Sequence, residues 1–448
     1  TVEYTPNTAD DRRRMLDRIG VGTFEDLLRG IPASLPRAAF SVVPAGCTEP
    51  ELVREAQALA ARNQTAATCR SFLGAGAYEH WVPSVVRYLT SRGEFLTAYT
   101  PYQAEASQGA LQAMYEFQSL LCELTGMDVA NASLYDGATG TAEAALLALR
   151  HTQRSKLVVA ATLHPEYRQV LHTYLRAAGV EIIVLPAPDG VTALSDAERA
   201  IDERTAAVII PMPNFFGGLE PAESLAARAR AAGALTIVVV NPLALGVLKP
   251  PGTYGADIVV GEGQPLGLSL QYGGPYLGLF ACREPYLRRV PGRIVGMTND
   301  ADGRRGFTLT LQTREQHIRR SKATSNICTN EGMCALAATI YLCALGREGF
   351  REVAEQNVAK AHYAYEQLTT IPGVTPLFPK AAFFNEFALR LPSPVAALNE
   401  RLLARGILGG LDLGRMDTRL DRGWLVCVTE TKTKQDIDAL AAAVREAL

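Results

Sequence analysis

Five short apolar runs constrain this chain more than any other feature: Leu157–Ala161, Glu181–Leu185, Ala206–Ile210, Thr236–Val240 and Asp257–Val260, mostly Val and Ile. They are too short for helices, and continuous apolar sequence marks strands buried on both faces. Ala-rich segments with helical character separate them, over Tyr167–Ala178, Asp196–Asp202 and Ala222–Ala232. Gly179 and Gly233 stand where two of these helices would end. The alternation predicts an α/β domain with a mainly parallel sheet.

The flanks read differently. Thr8 and Thr23 are placed to cap helices that open with acidic residues, and Pro32, Pro36 and Pro44 then break the pattern. Residues 1–70 are read as an N-terminal helical arm that wraps another surface, and 71–330 as the large α/β domain. An apolar helix, Glu331–Leu345, bridges to a smaller α+β C-terminal domain within 331–448, with strands Phe387–Leu391 and Trp424–Val428.

Composition narrows the function classes. A formal net charge of -2 provides no basic field for nucleic acid or acidic lipid. Residues 1–16 hold no apolar run of signal-peptide length, and no run of about 18 uncharged apolar residues appears. A soluble, cytoplasmic chain with no membrane partner is therefore expected. The eight cysteines show neither CxxC nor Cys/His ligand spacing, so no metal site is expected.

Ligands of such sheets bind at the carboxyl ends of the strands. Leu134–Thr141 (LYDGATGT) runs into a helix at Ala142–Leu149. Its Gly137, Thr139, Gly140 and Thr141 could seat a phosphate on the helix end, or simply form a tight turn. His164, after the first strand, could stack on a flat heteroaromatic ring or be structural. Asn241 and Gln264 follow the last two strands. A pyridoxal-phosphate (PLP) enzyme of this architecture needs a carboxylate at the first of these turns and a lysine at the second, to strengthen the electron sink and form the Schiff base. Two amides can do neither. A dinucleotide-binding reading of Gly261-Glu262-Gly263 lacks the helix it requires.

Longer motifs carry a resemblance. Tyr99–Gly109 (YTPYQAEASQG), Asp128–Ser133 (DVANAS), Tyr272–Pro275 (YGGP), Pro291–Gly296 (PGRIVG) and Gln312–Thr329 (QTREQHIRRSKATSNICT) resemble the glycine decarboxylase (P-protein) family of the glycine cleavage system, in its N-terminal-half or alpha-subunit form. The likeness runs from near residue 4 to at least residue 345. It implies fold type I, the aspartate aminotransferase-like PLP fold with a seven-stranded sheet. It also implies a beta subunit that anchors PLP on its own lysine, an α2β2 assembly, glycine as substrate, and aminomethyl transfer to the lipoyl arm of an H-protein. Gln264 and Asn241 depart from the catalytic-half pattern and agree with an alpha assignment.

The same resemblance points to residues that would reach a partner's site: Tyr99, Tyr102 and Gln103 in a Pro-containing loop, and Arg314, His317, Arg320, Thr324, Ser325 and Asn326 in the 312–329 segment. Each has a plainer reading as interface packing, ion pairing or turn closure. Lys322 is expected in an ion pair rather than a Schiff base, and the other lysines (Lys156, Lys249, Lys360, Lys380, Lys432, Lys434) in ordinary surface contexts. Two other functions stand beside the alpha-subunit reading: a non-catalytic binding or regulatory relative of the fold, and a self-sufficient PLP enzyme using an unexpected lysine.

Overall fold

The computed structural model describes residues 6–32, 34–35, 42–96 and 99–448. The first five residues and Pro36 lie outside them. The chain divides into two compact units, Thr1–Gln64 and Thr65–Leu448.

The first unit contains helices Ala9–Ile19, Phe24–Leu27 and Glu49–Ala60. Thr8 caps the first: its hydroxyl accepts from the Asp11 amide at 3.2 Å, and Asp11 accepts from the Thr8 amide at 2.9 Å. Thr23 and Asp26 repeat the arrangement. These reciprocal bonds satisfy amides that the helix itself leaves open. None of the three helices buries a residue.

In the second unit, seven strands among the described residues form the central sheet. They are β1 (Val129–Ala130), β2 (Lys156–Ala160), β3 (Glu181–Leu185), β4 (Thr205–Met212), β5 (Leu235–Val240), β6 (Ile258–Glu262) and β7 (Gly278–Cys282). Their spatial order is β1-β7-β6-β5-β4-β2-β3. Strands β2 to β6 are mutually parallel, and β7 runs antiparallel to β6 and β1. Every residue of β5 and β7 is buried, which is why these runs are apolar apart from Thr236. Alternation sorts them by face. Val238 and Val240 pack with Phe117, Leu121 and Tyr341, whereas Ile237 and Val239 pack with Leu147 and Leu163 beneath helices Gly137–Thr152 and Pro165–Leu175.

The predicted bridging helix extends well past Leu345, over Gly332–Thr369, with a break at Gly346 (φ +60°). By length and composition it could cross a bilayer. Instead Ala335, Ala338 and Tyr341 enter the sheet core, and Ala361, Ala364 and Leu368 enter the core of the C-terminal layer. That layer holds an antiparallel sheet of Thr375–Pro376, Glu386–Arg390, Gly423–Cys427 and Leu411–Asp412, covered by helices Val395–Leu403 and Lys434–Ala447. Two lysines expected at the surface are buried. Lys156 pairs with Asp202 at 2.9 Å and Lys432 with Glu79 at 2.6 Å, so each charge keeps a partner while its stem packs inward.

The turn after β4 rests directly on the C-terminal layer. Gly217 (φ +82°) leaves no room for a side chain: a Cβ there would stand 1.9 Å from the Glu386 carbonyl oxygen. Gly217→Ala should therefore cost about 3 kcal/mol or more through overpacking and backbone strain. An unchanged urea midpoint would refute this close packing.

Candidate functional site

The carboxyl ends of β2, β4, β5 and β6 converge, as expected of a doubly wound sheet. They enclose a cavity of about 70 Å³, lined by Tyr78, His164, Tyr167, Asn214, Asn241 and Glu262 among others. Three features fill the remaining space.

The first is Glu262, the last residue of β6. Its carboxyl accepts from the Gly137 amide at 3.0 Å, the Gln264 amide at 3.0 Å and the Leu277 amide at 2.8 Å. Gly137 is the first residue of helix Gly137–Thr152, so Glu262 occupies the positive helix end where an external anion would bind. Asp136 takes the Thr139 amide at 2.7 Å, and the Thr141 hydroxyl donates to the Gly137 carbonyl. The phosphate seat expected from Gly137, Thr139, Gly140 and Thr141 is thus already supplied with carboxyl groups from the chain itself.

The second is Gln264, fully buried at the turn after β6. Its Nε2 donates to the carbonyls of Tyr78 and Leu268 at 2.9 and 2.8 Å, and its Oε1 accepts from the Tyr78 amide at 2.9 Å. No ammonium could reproduce this, because it cannot accept a hydrogen bond.

The third is the strap 74–81 (GAGAYEHW), which sequence reasoning missed. Gln264 holds it from the sheet side. From the C-terminal layer, Glu386 accepts from the Ala75 amide and the Tyr78 hydroxyl, both at 2.7 Å. Glu430 accepts from the Trp81 amide at 2.7 Å and contacts His80 Nδ1 at 2.8 Å. Gly76 (φ +104°) admits the strap past His164, whose Nε2 would lie 2.9 Å from a Cβ there.

His164 is committed to this packing. It caps helix Pro165–Leu175 through Nδ1, faces the Ala75 carbonyl at 3.0 Å through Nε2, and meets the Phe215 ring edge-on. Burial lowers its pKa. Asn241 likewise caps its own turn, accepting from the Leu243 amide at 3.1 Å.

A second constellation contains several residues that the resemblance assigns to a partner's site. Tyr102 and His317 come together, ring centroids 6.3 Å apart, over the buried Arg293 and Glu315, neither of which was singled out individually from sequence. Tyr99, Gln103, Arg320 and Asn326 are exposed. Arg314 is turned inward, against expectation. It donates to the carbonyls of Leu311 at 3.0 Å, Gly292 at 3.1 Å and Val290, so its guanidinium serves the chain's own backbone. Ser325 accepts from the Ile327 amide and bonds the buried Glu143, also facing inward, while Thr324 is half-buried. Among the described residues no His/Cys/Asp/Glu group is arranged to hold a metal.

The family model described as "Glycine cleavage system P-protein" matches residues 2–444. The chain belongs to the P-protein family. It is 53% identical over 445 residues to a Desulfitobacterium hafniense protein named "Probable glycine dehydrogenase (decarboxylating) subunit 1", covering 99% of this chain and all of that one. A crystal structure of "glycine decarboxylase (P-protein) of the glycine cleavage system, in inhibitor-bound form" superposes with a TM-score of 0.90 at 46% identity, covering both chains completely. A Burkholderia pseudomallei sphingosine-1-phosphate lyase, 17% identical with a TM-score of 0.66 over 92% of each chain, shares the fold alone. The architecture is that of the fold type I PLP enzymes.

The fold implies PLP, but the strand-end seat of this P-protein-family chain does not fit it. The position after β6 offers an amide instead of an amine, the helix-end Gly137 amide is taken by Glu262, and Asn241 replaces a carboxylate. The cavity of about 70 Å³ lies far below the roughly 300–1,000 Å³ of small-molecule sites. Gln264→Lys alone should therefore produce no internal-aldimine absorbance with added PLP. It should also destabilise the fold by about 2–3 kcal/mol through unpaired backbone groups. A visible aldimine band in this variant would contradict the misfit between this seat and PLP.

Burial raises both Glu262 and Glu386 to about 7. Each then holds a proton in the folded chain at pH values where the unfolded chain, with its carboxyls near 4.5, has lost it. Their contribution to stability is complete below that value and is lost as pH rises through about 7, on the order of 3 kcal/mol each. Glu386→Gln should flatten urea stability between about pH 5 and 8. A slope equal to wild type would refute this.

Proposed function

We propose that this chain is the alpha, non-anchoring subunit of a two-subunit glycine dehydrogenase (decarboxylating). In that reading a lysine-bearing beta subunit holds PLP, glycine is decarboxylated, and the aminomethyl group passes to the lipoyl arm of an H-protein, within an α2β2 assembly in the cytoplasm. The observation that carries the reading is Gln264, buried and bonded on three sides at the strand end where fold type I would place its reactive amine. The relatives' designation as subunit 1 supports a partner.

Other features agree. The helices of the first unit leave Met15, Ile19, Phe24 and Leu59 exposed, the composition of an arm that covers another chain. Tyr99 and Trp81 are also exposed, as suits aromatic contacts at an interface. Tyr102, His317, Arg320 and Asn326 are the residues we assign to the shared site. Arg314 and Ser325 anchor the 312–329 segment that carries His317, Arg320 and Asn326, Thr324 lies half-buried in it, and Gln103 follows Tyr102.

The purified chain should be colourless with PLP and inactive on glycine. Mixing it with the lysine-bearing partner should restore glycine-dependent release of carbon dioxide. Turnover of glycine by this chain alone would overturn the proposal.

A further inference from the structure

Arg293 is 3% exposed, yet it serves three segments far apart in sequence. Its Nη2 donates to the Tyr102 hydroxyl at 3.1 Å, and its guanidinium lies 5.5 Å over the same ring. Its Nη1 donates to Thr329 Oγ1 at 3.1 Å and Asn330 Oδ1 at 3.3 Å. Its Nε finds no hydrogen-bond acceptor and stands 4.0 Å from Glu315 Oε2. Glu315 is itself buried and lies 3.6 Å from Nδ1 of His317.

A buried, incompletely bonded guanidinium is costly, and fold stability alone gives little reason to retain one. Arg293 is too enclosed to touch a ligand. What it holds is not: Tyr102 and the His317 side chain both reach solvent. Because Tyr102 accepts from Arg293, its own proton is left to donate outward. Among the described residues no acceptor takes it. Two and three residues after His317, Arg319 and Arg320 are exposed, with Arg320 held at φ +54°, ψ −128°, a conformation that non-glycine residues rarely adopt.

We infer that Arg293, with Glu315, is a positioning residue that fixes Tyr102 and His317 around the site of a small carboxylate, with the Tyr102 hydroxyl as its outward donor. Under the function proposed above, on which this inference rests, that carboxylate is glycine's, bound where this chain meets its partner. A hydroxyl whose proton points outward, held by a buried guanidinium, suits a carboxylate oxygen, and fixing it before binding avoids ordering it afterwards.

The test uses the reconstituted two-subunit enzyme, with assembly followed by size-exclusion chromatography. Arg293→Met should lower kcat/KM for glycine on the order of 100-fold, chiefly through KM, without loss of assembly. Arg293→Lys should recover part of it. Tyr102→Phe should lower kcat/KM about 10-fold, and adding it to Arg293→Met should cost little more, because one residue acts through the other. An assembled Arg293→Met enzyme with wild-type kcat/KM, or losses that multiply in the double variant, would overturn the inference. If Arg293→Met fails to assemble, Tyr102→Phe and Glu315→Gln decide it, and wild-type KM values for glycine in both would overturn it. A wild-type complex without glycine turnover removes the functional reading and this inference together. Turnover with silent variants removes only the positioning role.

Discussion

One buried amide ties the long unit together at its functional end. Gln264 projects from the turn after β6 and exchanges hydrogen bonds with the backbone of Tyr78 in both directions, while also donating to the Leu268 carbonyl. A side-chain amide can donate two hydrogen bonds and accept a third at once, which is what Gln264 does here. Through it the strap 74–81 is fixed to the sheet, and through Glu386 and Glu430 the strap is fixed to the C-terminal layer. The layers therefore meet across a closed seam at the strand ends, where this architecture ordinarily keeps an opening.

The electrostatics of the seam follow from that closure. Glu262 and Glu386 are buried too deeply to ionise at the ordinary carboxyl range, and burial dominates even though each accepts hydrogen bonds from the chain. Glu430 moves the other way: its bonds with His80, the Trp81 amide and Asn357 outweigh its burial and hold it below the usual value. One carboxyl with a raised pKa, Glu386, and one with a lowered pKa, Glu430, thus hold the strap from the C-terminal layer. Small residues make the approach possible, since a Cβ at Gly74 would lie 2.4 Å from Glu386 Oε1 and one at Gly137 would lie 2.2 Å from the Tyr167 hydroxyl.

Much of this frame was legible in the residues. The Val- and Ile-rich runs fall on β2 to β6 because a strand covered on both faces has few polar positions to interrupt it; β3 is the exception, an edge strand of which only Leu185 is buried, so its run does not mark two covered faces. Thr8 and Thr23 cap as read because their acidic partners lie three residues on. The placement of Asn241 and Gln264 at strand ends followed from the same runs. What Glu262 does was hidden: in GEGQP it looks like part of a glycine-rich turn, and its partners Gly137 and Leu277 lie 125 and 15 residues away. Arg293 and Arg314 were indistinguishable from surface arginines until the fold enclosed them. Tyr102 and Arg293 meet across 191 positions, a separation that local pattern cannot bridge. The buried Lys156 and Lys432 were missed for the same reason, because each depends on a carboxylate brought in from another element.

The central claim is that this P-protein-family chain has closed its own cofactor seat and works through a neighbour's. Borohydride reduction of the complex purified from its natural source, followed by peptide mass spectrometry, addresses it directly. The account predicts a pyridoxyl group on a lysine of the partner and none on this chain. A pyridoxyl-lysine anywhere in residues 1–448 would contradict it.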